Sequence, residues 1–415
     1  MVCMPDSPLT LLHLSLSHTS YSLTPLTLSL LSLSYTMDTL LDRWHTTFGS
    51  EVPEVTVRAP GRVNIIGEHT DYNEGWVLPG AMSRSIYILA SKKATKGHHW
   101  IAYDLDEEIE SLEDIFEYGE YPWAKYIEGA IRLYAPEIGP LRLLVGGDLP
   151  VGAGISSSSA LVCGVLYALQ QLSGRHETKE ELALIGQRVE REVIGVQGGI
   201  MDQFAIMMSQ PRHVMLLDCR TREYKLVDAD LPGCTWILIN TRVKHALIDS
   251  DYNQRAAQCK QAVEKIRETF PDVQALRDVD MDMLKASGLN ETLMKRSAFV
   301  IEENNRVHEM VQALHEHDTN RAGKLLRASH EGLRHMYEVS CDELDHLADF
   351  ANRYEGVRGA RMMGGGFGGC VICLLQEDEL DAFSIACVDS YLDRFGFEPE
   401  VILFELAAGV GLAPE

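Results

Sequence analysis

The chain is short of basic residues. Among its 415 residues, 37 are Lys or Arg and 61 are Asp or Glu, and the formal net charge at pH 7 is −24. Such a charge repels nucleic-acid backbones and anionic lipid surfaces, so the composition argues against a protein that binds nucleic acid or membranes. It does not exclude ATP, because ATP carries a divalent cation and backbone amides can hold its phosphates.

Long apolar runs are also missing, although 46% of the residues are hydrophobic. No stretch approaches the roughly 18 apolar residues of a membrane helix. The first 36 residues are rich in Leu, Ser and Thr, and Asp6 is their only charged residue. They lack the basic start and the unbroken apolar core of a secretory signal. We therefore expect residues 1–36 to be a disordered or poorly packed extension, with Met37 as the true start of the protein.

The cysteines show no arrangement that predicts disulfides or zinc. The nine Cys residues are an odd number and often lie within apolar runs, which is typical of reduced, buried thiols in a cytosolic protein. Cys370 and Cys373 form a C-x-x-C pair, but no second Cys pair or His follows at zinc-site spacing. We interpret both as residues of a buried strand and expect a cytoplasmic protein.

What is present is a dense polar segment at residues 61–72, with the sequence GRVNIIGEHTDY. A core strand cannot bury so much polarity without partners. A polyol site requires it, because each sugar hydroxyl both donates and accepts, and carboxylate, imidazole and phenol groups match those roles. A charged turn could have the same composition, so this segment alone leaves both interpretations open.

A second segment, the Gly/Ser loop of residues 149–160, leads into the apolar run 161–169. The run predicts a buried helix, whose N-terminus carries unpaired N–H groups and a partial positive charge suited to phosphate. Gly152 and Gly154 let the backbone approach an anion closely, and the Ser hydroxyls are expected to cap the helix. No Lys follows the glycines, so this is not a Walker loop, and the spacing does not fit a dinucleotide fingerprint.

A third segment, the glycine turn of residues 364–369, holds five Gly around one Phe and precedes the apolar run 370–375. The run predicts a buried strand. The glycines indicate close backbone approach to a substrate or to the Gly/Ser loop.

In order and spacing, these segments resemble the three motifs of the GHMP small-molecule kinases, and the first narrows the resemblance to the galactokinase family. Further stretches agree: GGIMDQF at 198–204, LLDCR at 216–220, YEVSCDELDHL at 337–347 and GARMMGGGFGGC at 359–370. The resemblance runs from about Met37 to the end of the chain.

Strands mixed with blocks of helix predict an α+β fold with helices on one face of a mixed sheet. We predict a first helix at Thr39–Phe48 and separate strands at Val55–Val57 and Val63–Ile65. The resemblance implies a two-domain GHMP kinase fold. Its ribosomal-protein-S5-like N-terminal domain would cover residues 37–220, its ferredoxin-like C-terminal domain residues 221–415, and the active site would lie between them.

The resemblance also implies phosphorylation of the anomeric C1 hydroxyl of galactose by ATP. It places Asp202 beside the attacking oxygen as the base and Arg62 next to it, where a cation stabilises charge on the phosphoryl group. The sequence cannot choose between proton transfer to Asp202 and an electrostatic role. Without the flanking motifs, Asp202 would be interpreted as a helix N-cap and Arg62 as a structural salt bridge.

The other site residues follow from the same resemblance. The predicted sugar ligands are Glu68, His69, Asp71, Gly199 and Tyr252. The predicted ATP contacts are Gly152, Ala153, Gly154, Ile155, Ser156, Ser157 and Ser158. Ser158 and Glu190 are predicted to hold Mg²⁺, which prefers oxygen ligands; a solvated helix face is the alternative for Glu190.

Two positions depart from the family pattern. Ser159 stands where Ala is usual, which obscures which Ser binds metal, and Met363 stands where Thr is more usual.

Two functions stay open beside phosphorylation of galactose: an N-acetylgalactosamine kinase, and a non-catalytic sensor of galactose and ATP. Such sensors lack the residue pair that is Ser159-Ala160 in this chain. The expected partners are galactose and MgATP, with no nucleic acid and no membrane, and the protein is expected to be a monomer.

Overall fold

The structure is a computed structural model, and it describes the backbone of residues 25–92, 97–110, 121–244 and 248–414. Side chains are described from residue 37 onward within these ranges, except at residues 244 and 248–250. Among the described helices, none is both long and apolar enough to span a bilayer.

Helices and strands alternate along the described chain. The helices α1 to α11 span Pro25–Phe48, Pro122–Tyr134, Ser157–Ser173, Lys179–Arg188, Met201–Met208, Ile248–Arg267, Met281–Ala286, Glu291–His315, Thr319–Gly332, Asp342–Arg353 and Leu380–Phe395. The strands β1 to β14 span Val55–Asn64, Trp76–Val77, Pro79–Lys92, His99–Ala102, Glu107–Glu110, Leu141–Gly147, His213–Asp218, Tyr224–Asp228, Cys234–Lys244, Val357–Met363, Gly368–Gln376, Glu400–Leu403, Leu406–Ala407 and Gly411–Leu412. Two π-helical segments, Val189–Ile194 and Leu333–Tyr337, directly follow α4 and α9.

The strands form three sheets. The first has the order β14-β1-β3-β6-β4-β5, with β13 also paired to β3. All its pairs are antiparallel except β4 with β6. The second is β10-β11-β9-β12 and the third is β2-β7-β8. The protein therefore contains both helices and sheets, and the predicted α+β class is confirmed.

Helix α3 lies directly on the first sheet and so fixes where the Gly/Ser loop ends. A side chain on Gly164 would bring its Cβ to 2.3 Å from Ile88 Cδ1 and 2.8 Å from Ala59 Cβ. Only Gly permits this contact with β1 and β3. Apolar neighbours such as Leu166 are fully buried there. The N-terminus of α3 is thereby held beside β1, the strand that carries Arg62.

The predicted strands Val55–Val57 and Val63–Ile65 are wrong as separate elements, because all their residues except Ile65 belong to the single strand β1, which ends at Asn64. The intervening Pro60-Gly61 suggested a break, but it forms an irregularity in the pairing with β3 between Pro60 and Arg62. The helices also pack on three sheets rather than on one face of a single sheet, since α3 contacts β1 and β3, α9 contacts β10 and α8 contacts β2 and β8.

Both the first described helix and the last described strands meet the first sheet. In α1, Leu40 and Trp44 are buried against it with Leu89 and Leu144. The backbone of α1 is helical from Pro25, which differs from the predicted disorder, while residues 1–24 lie outside the described part. At the other end, β13 and β14 join β3 and β1. Residues after 220 therefore contribute strands to a sheet that is built mainly from residues before 220. The domain boundary at residue 220 stays a prediction.

Candidate active site

Two adjoining cavities lie where the N-terminus of α3 faces the glycine turn between β10 and β11. The small cavity has a volume of about 190 Å³ and is lined mainly by polar side chains. The large cavity, about 540 Å³, runs along the Gly/Ser loop. Arg62, Ser158 and Gly365 line both cavities, so a reacting group could pass between them.

Arg62 and Asp202 form an ion pair at this junction. Arg62 donates Nε to Asp202 Oδ1 at 2.7 Å and Nη2 to Oδ2 at 3.2 Å. Its Nη1 donates to the Gly154 carbonyl at 2.6 Å. Burial acts to lower the pKa of Arg62, but the charges of Asp202 and Glu68 outweigh it and raise that pKa. The guanidinium stays charged and joins β1, α5 and the Gly/Ser loop.

Asp202 is not a helix cap, so that alternative is wrong. It lies in the first turn of α5, whose N-cap residue is Ile200. Its Oδ2 also accepts a short hydrogen bond from the Ser156 hydroxyl. The predicted capping role of Ser156 is wrong as well, because its side chain makes no cap hydrogen bond to α3. Ser156 has a left-handed backbone (φ 60°), and this conformation aims its hydroxyl at Asp202.

Glu68 is fully buried and paired with Arg361, a residue to which the sequence interpretation gave no role. Arg361 Nη1 and Nη2 donate to Glu68 Oε1 at 3.1 and 3.0 Å. The Gly364 N–H donates to the same oxygen at 2.9 Å. Arg361 also donates to the carbonyls of Asn64 and Ile65, at 2.5 and 2.9 Å. These bonds hold the first segment against the glycine turn.

His69 and Asp71 line the small cavity in unusual protonation environments. Burial and the nearby charge of Arg255 lower the pKa of His69 to about 3, so its imidazole is neutral. Burial and the charge of Asp202 raise the pKa of Asp71 to about 7. A desolvated group favours its neutral form. Near neutral pH, Asp71 can therefore donate as well as accept a hydrogen bond.

Gly199 and Tyr252 complete the wall of the small cavity. A Cβ on Gly199 would lie 2.1 Å from Asp71 Oδ2, so no other residue fits beside that carboxyl group. Tyr252 packs against His69, with ring centroids 5.6 Å apart. The structure thus brings all five predicted sugar ligands to one cavity, and their roles stay predictions.

The Gly/Ser loop lines one side of the large cavity. Gly152, Gly154, Ser156, Ser157 and Ser158 face it. Ala153 and Ile155, also predicted ATP contacts, are buried and do not line it. Their carbonyls instead accept hydrogen bonds from Cys370 Sγ and from the Arg62 N–H.

The glycine turn packs on the back of this loop. Cys370 Sγ donates to the Ala153 carbonyl at 3.0 Å. A Cβ on Gly369 would lie 3.2 Å from the same oxygen. Of the two close approaches predicted for these glycines, the one to the Gly/Ser loop is therefore observed. Met363 is buried, and its sulfur accepts the Asn64 N–H at 3.4 Å.

Glu190 and Ser158 supply oxygen atoms near the boundary of the cavities. Glu190 is 9% exposed, so a solvated helix face is wrong for it. Burial raises its pKa to about 7, and Ser159 donates to its Oε1 at 2.5 Å. Ser159 is thus directed to Glu190, while Ser158 lines both cavities.

The opposite wall of the large cavity is apolar and was missed from the sequence. It is formed by side chains from the first sheet and from α2 and α3, among them Ile86, Val145, Trp123 and Leu161. Trp123 donates its indole N–H to Glu107. These residues are scattered along the chain without a shared motif. A flat aromatic base is the kind of group that such a wall can hold.

Comparisons with known proteins agree with this geometry. Residues 42–92 match the family model described as the galactokinase galactose-binding signature. Residues 125–210 match the GHMP kinases N terminal domain, and residues 310–387 match the GHMP kinases C terminal model.

Curated relatives match over nearly their whole length. The galactokinase of Thermotoga maritima is 39% identical over 359 residues, which cover 86% of this chain and 99% of the relative. The galactokinase of Chloroflexus aurantiacus is 38% identical over 384 residues, covering 91% and 97%.

Solved structures give the same result. The galactokinase of Lactococcus lactis, complexed with galactose, has a TM-score of 0.85 and 33% identity over 91% of this chain and 100% of that one. The mevalonate kinase of Methanococcus jannaschii, 16% identical with a TM-score of 0.63, shares the fold. With a family signature over the sugar motif and relatives above 30% identity along most of its length, the chain belongs to the galactokinase family of the GHMP kinases.

Proposed function

We propose that the protein transfers the γ-phosphoryl group of ATP to the anomeric C1 hydroxyl of galactose. The observation that supports this most directly is the Arg62–Asp202 pair at the junction of the two cavities. The polar small cavity suits a sugar, and the large cavity, with its glycines and apolar wall, suits a nucleotide. A hydroxyl in one would face a phosphate in the other.

Galactose would be held by the side chains of the small cavity. Glu68 is oriented by Arg361 and by the Gly364 N–H, so its carboxylate accepts hydrogen bonds in a fixed direction. Asp71, with its pKa raised to about 7, can exchange donor and acceptor roles with a sugar hydroxyl. Tyr252 and the backbone at Gly199 close the opposite side. Fixed polar groups of this kind discriminate between sugar epimers.

The phosphates of ATP would lie along the Gly/Ser loop. The side chain of the N-cap residue Ser156 does not cap α3, so the N–H groups of the first helical turn are left for an anion. The hydroxyls of Ser157 and Ser158 line the same surface. The base of the nucleotide would pack on the apolar wall around Trp123.

Magnesium is the metal that the site fits. Among the described residues no cluster of three or more His, Cys, Asp or Glu could hold a metal ion. Ser158 and Glu190 offer one hydroxyl and one buried carboxylate, and phosphate oxygens would complete the hard-oxygen set that Mg²⁺ prefers. Bound there, the ion would neutralise phosphate charge during transfer.

Asp202 and Arg62 would act on the transfer itself. Arg62 is buried and charged, so it stabilises negative charge that spreads over the phosphoryl group. Asp202 is placed to accept the hydrogen of the attacking hydroxyl. Arg62 and Ser156 hold its carboxylate in place, and a loose transition state demands little proton removal before bond formation. Positioning and charge then provide most of the catalysis.

A coupled ADP-release assay tests the function. With ATP and Mg²⁺, we expect turnover with galactose and much less with glucose, talose or N-acetylgalactosamine. Faster turnover with N-acetylgalactosamine would favour the other sugar kinase. If calorimetry detected galactose binding but no sugar led to ADP release from ATP, the result would favour the non-catalytic sensor. Ser159-Ala160, the pair that such sensors lack, forms part of the first turn of α3 here.

A further inference from the structure

A chain of hydrogen-bonding groups runs from the small cavity into the core. The Tyr72 hydroxyl lies 2.8 Å from His69 Nδ1, and the Tyr337 hydroxyl lies 2.7 Å from that of Tyr72. Cys259 Sγ lies 3.1 Å from the Tyr337 hydroxyl. Tyr337 and Cys259 are buried, so bulk water does not replace these bonds. The phosphoryl transfer uses neither tyrosine.

The inner end of this chain is held rigidly. Tyr337 is the last residue of the π-helical segment, and π-helical turns are frequent at functional sites. The next residue, Glu338, caps the segment with a left-handed backbone (φ 55°). Arg255 donates to the carbonyls of Tyr337 and Glu338, at 2.8 and 2.7 Å, and Arg296 pairs with the Glu338 carboxylate at 2.6 Å. Two arginines thus fix the position of one phenol.

The imidazole of His69 is enclosed by rings on several sides. Its centroid lies 4.7 Å from that of Tyr337, 5.6 Å from Tyr252 and 5.9 Å from Tyr72. His69 itself is 3% exposed. Rotation of the ring would require these tyrosines to move, so Nδ1 stays directed at Tyr72.

The chemistry of the chain favours one direction of donation. His69 is neutral, because burial and Arg255 lower its pKa to about 3, and a neutral imidazole has one donor and one acceptor nitrogen. A phenol is a better donor to an imidazole lone pair than an imidazole N–H is to a phenol oxygen. Nδ1 therefore accepts from Tyr72, and Nε2 carries the proton. The Gly365 backbone interacts with the imidazole and acts to raise its pKa, but Nε2 is buried and makes no hydrogen bond of full geometry with the described residues.

We propose that the chain Cys259–Tyr337–Tyr72 fixes His69 in its Nε2–H tautomer, so that Nε2 donates a hydrogen bond to one sugar hydroxyl. This inference rests on the proposed role of His69 in sugar binding. Tyr72 and Tyr337 are positioning residues, because they act on the sugar only through the imidazole. The cavity thereby gains a donor of fixed direction beside carboxylates that mainly accept.

Nitrogen NMR of the full chain, labelled with ¹⁵N in its His side chains, reads the tautomer directly. The His69 signals are assigned as those lost in His69→Gln. We expect Nε2 to be protonated and Nδ1 unprotonated in the natural protein. In Tyr72→Phe, Nδ1 loses its donor, and both signals should shift towards a mixture of tautomers. Tyr337→Phe should give a smaller shift in the same direction, and it serves as the test variant if Tyr72→Phe does not fold.

Tyr391→Phe is the matched control. Tyr391 is also fully buried, and its hydroxyl bonds the Thr241 carbonyl at 2.9 Å, away from both cavities. Its replacement removes one buried hydrogen bond but should leave the His69 signals and the galactose KM unchanged. In Tyr72→Phe the galactose KM should rise about 5- to 10-fold with a smaller change in kcat. Among deoxygalactoses, only the one lacking the hydroxyl bound by His69 should be insensitive to that substitution.

Three results would overturn the inference: a proton on Nδ1 in the natural protein, unchanged His69 signals in both Phe variants, or shifted signals with an unchanged KM. A failure of the proposed function looks different. If the natural protein did not phosphorylate galactose, the function would be lost while the His69 signals still reported the tautomer.

Discussion

At the scale of single residues, the carboxylate of Asp202 has three donors close to it, two nitrogens of Arg62 and the hydroxyl of Ser156. Asp202→Asn should lower kcat by ~10² or more, because the amide neither accepts a proton nor balances the Arg62 charge. Galactose and ATP binding should change less. Steady-state kinetics with calorimetry of both ligands measures the two effects separately.

Asp218→Asn is the control for this substitution. Asp218 forms a similar two-pronged pair with Arg277, at 2.6 and 3.0 Å, outside both cavities. Its loss should affect stability but not kcat. Near-normal turnover in Asp202→Asn would remove Asp202 from the mechanism.

Asp71 gives a pH-dependent prediction. Its pKa is raised to about 7 by burial and by the charge of Asp202. The folded state thus favours the neutral acid, so the contribution of Asp71 to stability is complete below the unfolded pKa of about 4 and is lost as pH rises through 7. Asp71→Asn cannot titrate. Relative to the natural protein, its free energy of unfolding should increase by at least ~1 kcal/mol between pH 4 and 7.

Urea unfolding at several pH values checks this slope. Asp278→Asn is a control of opposite sign, because the hydrogen bond from Arg220 lowers the pKa of Asp278 to about 2. Its stability contribution is present above about pH 4 and is lost as pH falls through 2. Between pH 4 and 7 the effect of Asp278→Asn should be constant. A flat difference for Asp71→Asn in that range would contradict the buried, neutral carboxyl group.

At the scale of elements, a glycine with a left-handed backbone lies just outside each end of helix α3, Gly154 in the Gly/Ser loop and Gly174 at the C-cap. Gly154 has φ +73° and faces the large cavity, whereas Gly174 has φ +69° and open space around it. Valine at either position costs a similar ~1–2 kcal/mol of backbone strain. The Cβ of Gly154→Val would lie 3.7 Å from Gly369 and Met363, which also line the large cavity, so the added side chain narrows the space proposed for phosphate.

Calorimetry of ATP and galactose on both variants separates the two effects. Gly154→Val should lose at least ~10-fold in ATP affinity and keep most of its galactose affinity. Gly174→Val should keep both affinities despite comparable strain. Equal loss of both ligands in Gly154→Val would mean that the loop is only structural.

At the scale of the whole molecule, Arg361 links the second sheet to the sugar motif. It is fully buried, bonds Glu68 and reaches two carbonyls of the first segment. Arg361→Met leaves the buried Glu68 carboxylate without its partner, and such changes cost about 3–5 kcal/mol. Denaturant unfolding should show this loss, and the galactose KM should rise because Glu68 loses its orientation.

Arg212→Met is the control at this scale. Arg212 forms an exposed pair with Asp230 at 3.1 Å, and exposed pairs contribute about 0–1 kcal/mol. A similarly small loss for Arg361→Met would show that the contact between the two parts of the molecule does not depend on this arginine.

The sequence by itself determined the α+β class and the motifs that resemble the galactokinase family, and that resemblance predicted the five sugar ligands among the residues that line the small cavity. The motifs themselves are local: a polar segment, a glycine loop before an apolar helix, and a glycine turn before an apolar strand are each recognisable from neighbouring residues. The buried helix predicted from the apolar run 161–169 is observed as part of α3, Ser157–Ser173.

Only the tertiary structure decided which groups meet across the chain. Arg361 lies 293 residues from Glu68, and Tyr337 lies 265 residues from Tyr72, and no local pattern reports a pairing at such distances. Strand β1 is continuous because it pairs with β3. The hydroxyl of Ser156 donates to Asp202 rather than capping its own helix. Propensities describe a residue among its neighbours, whereas a buried charge or hydroxyl takes whichever partner the packed core brings within reach.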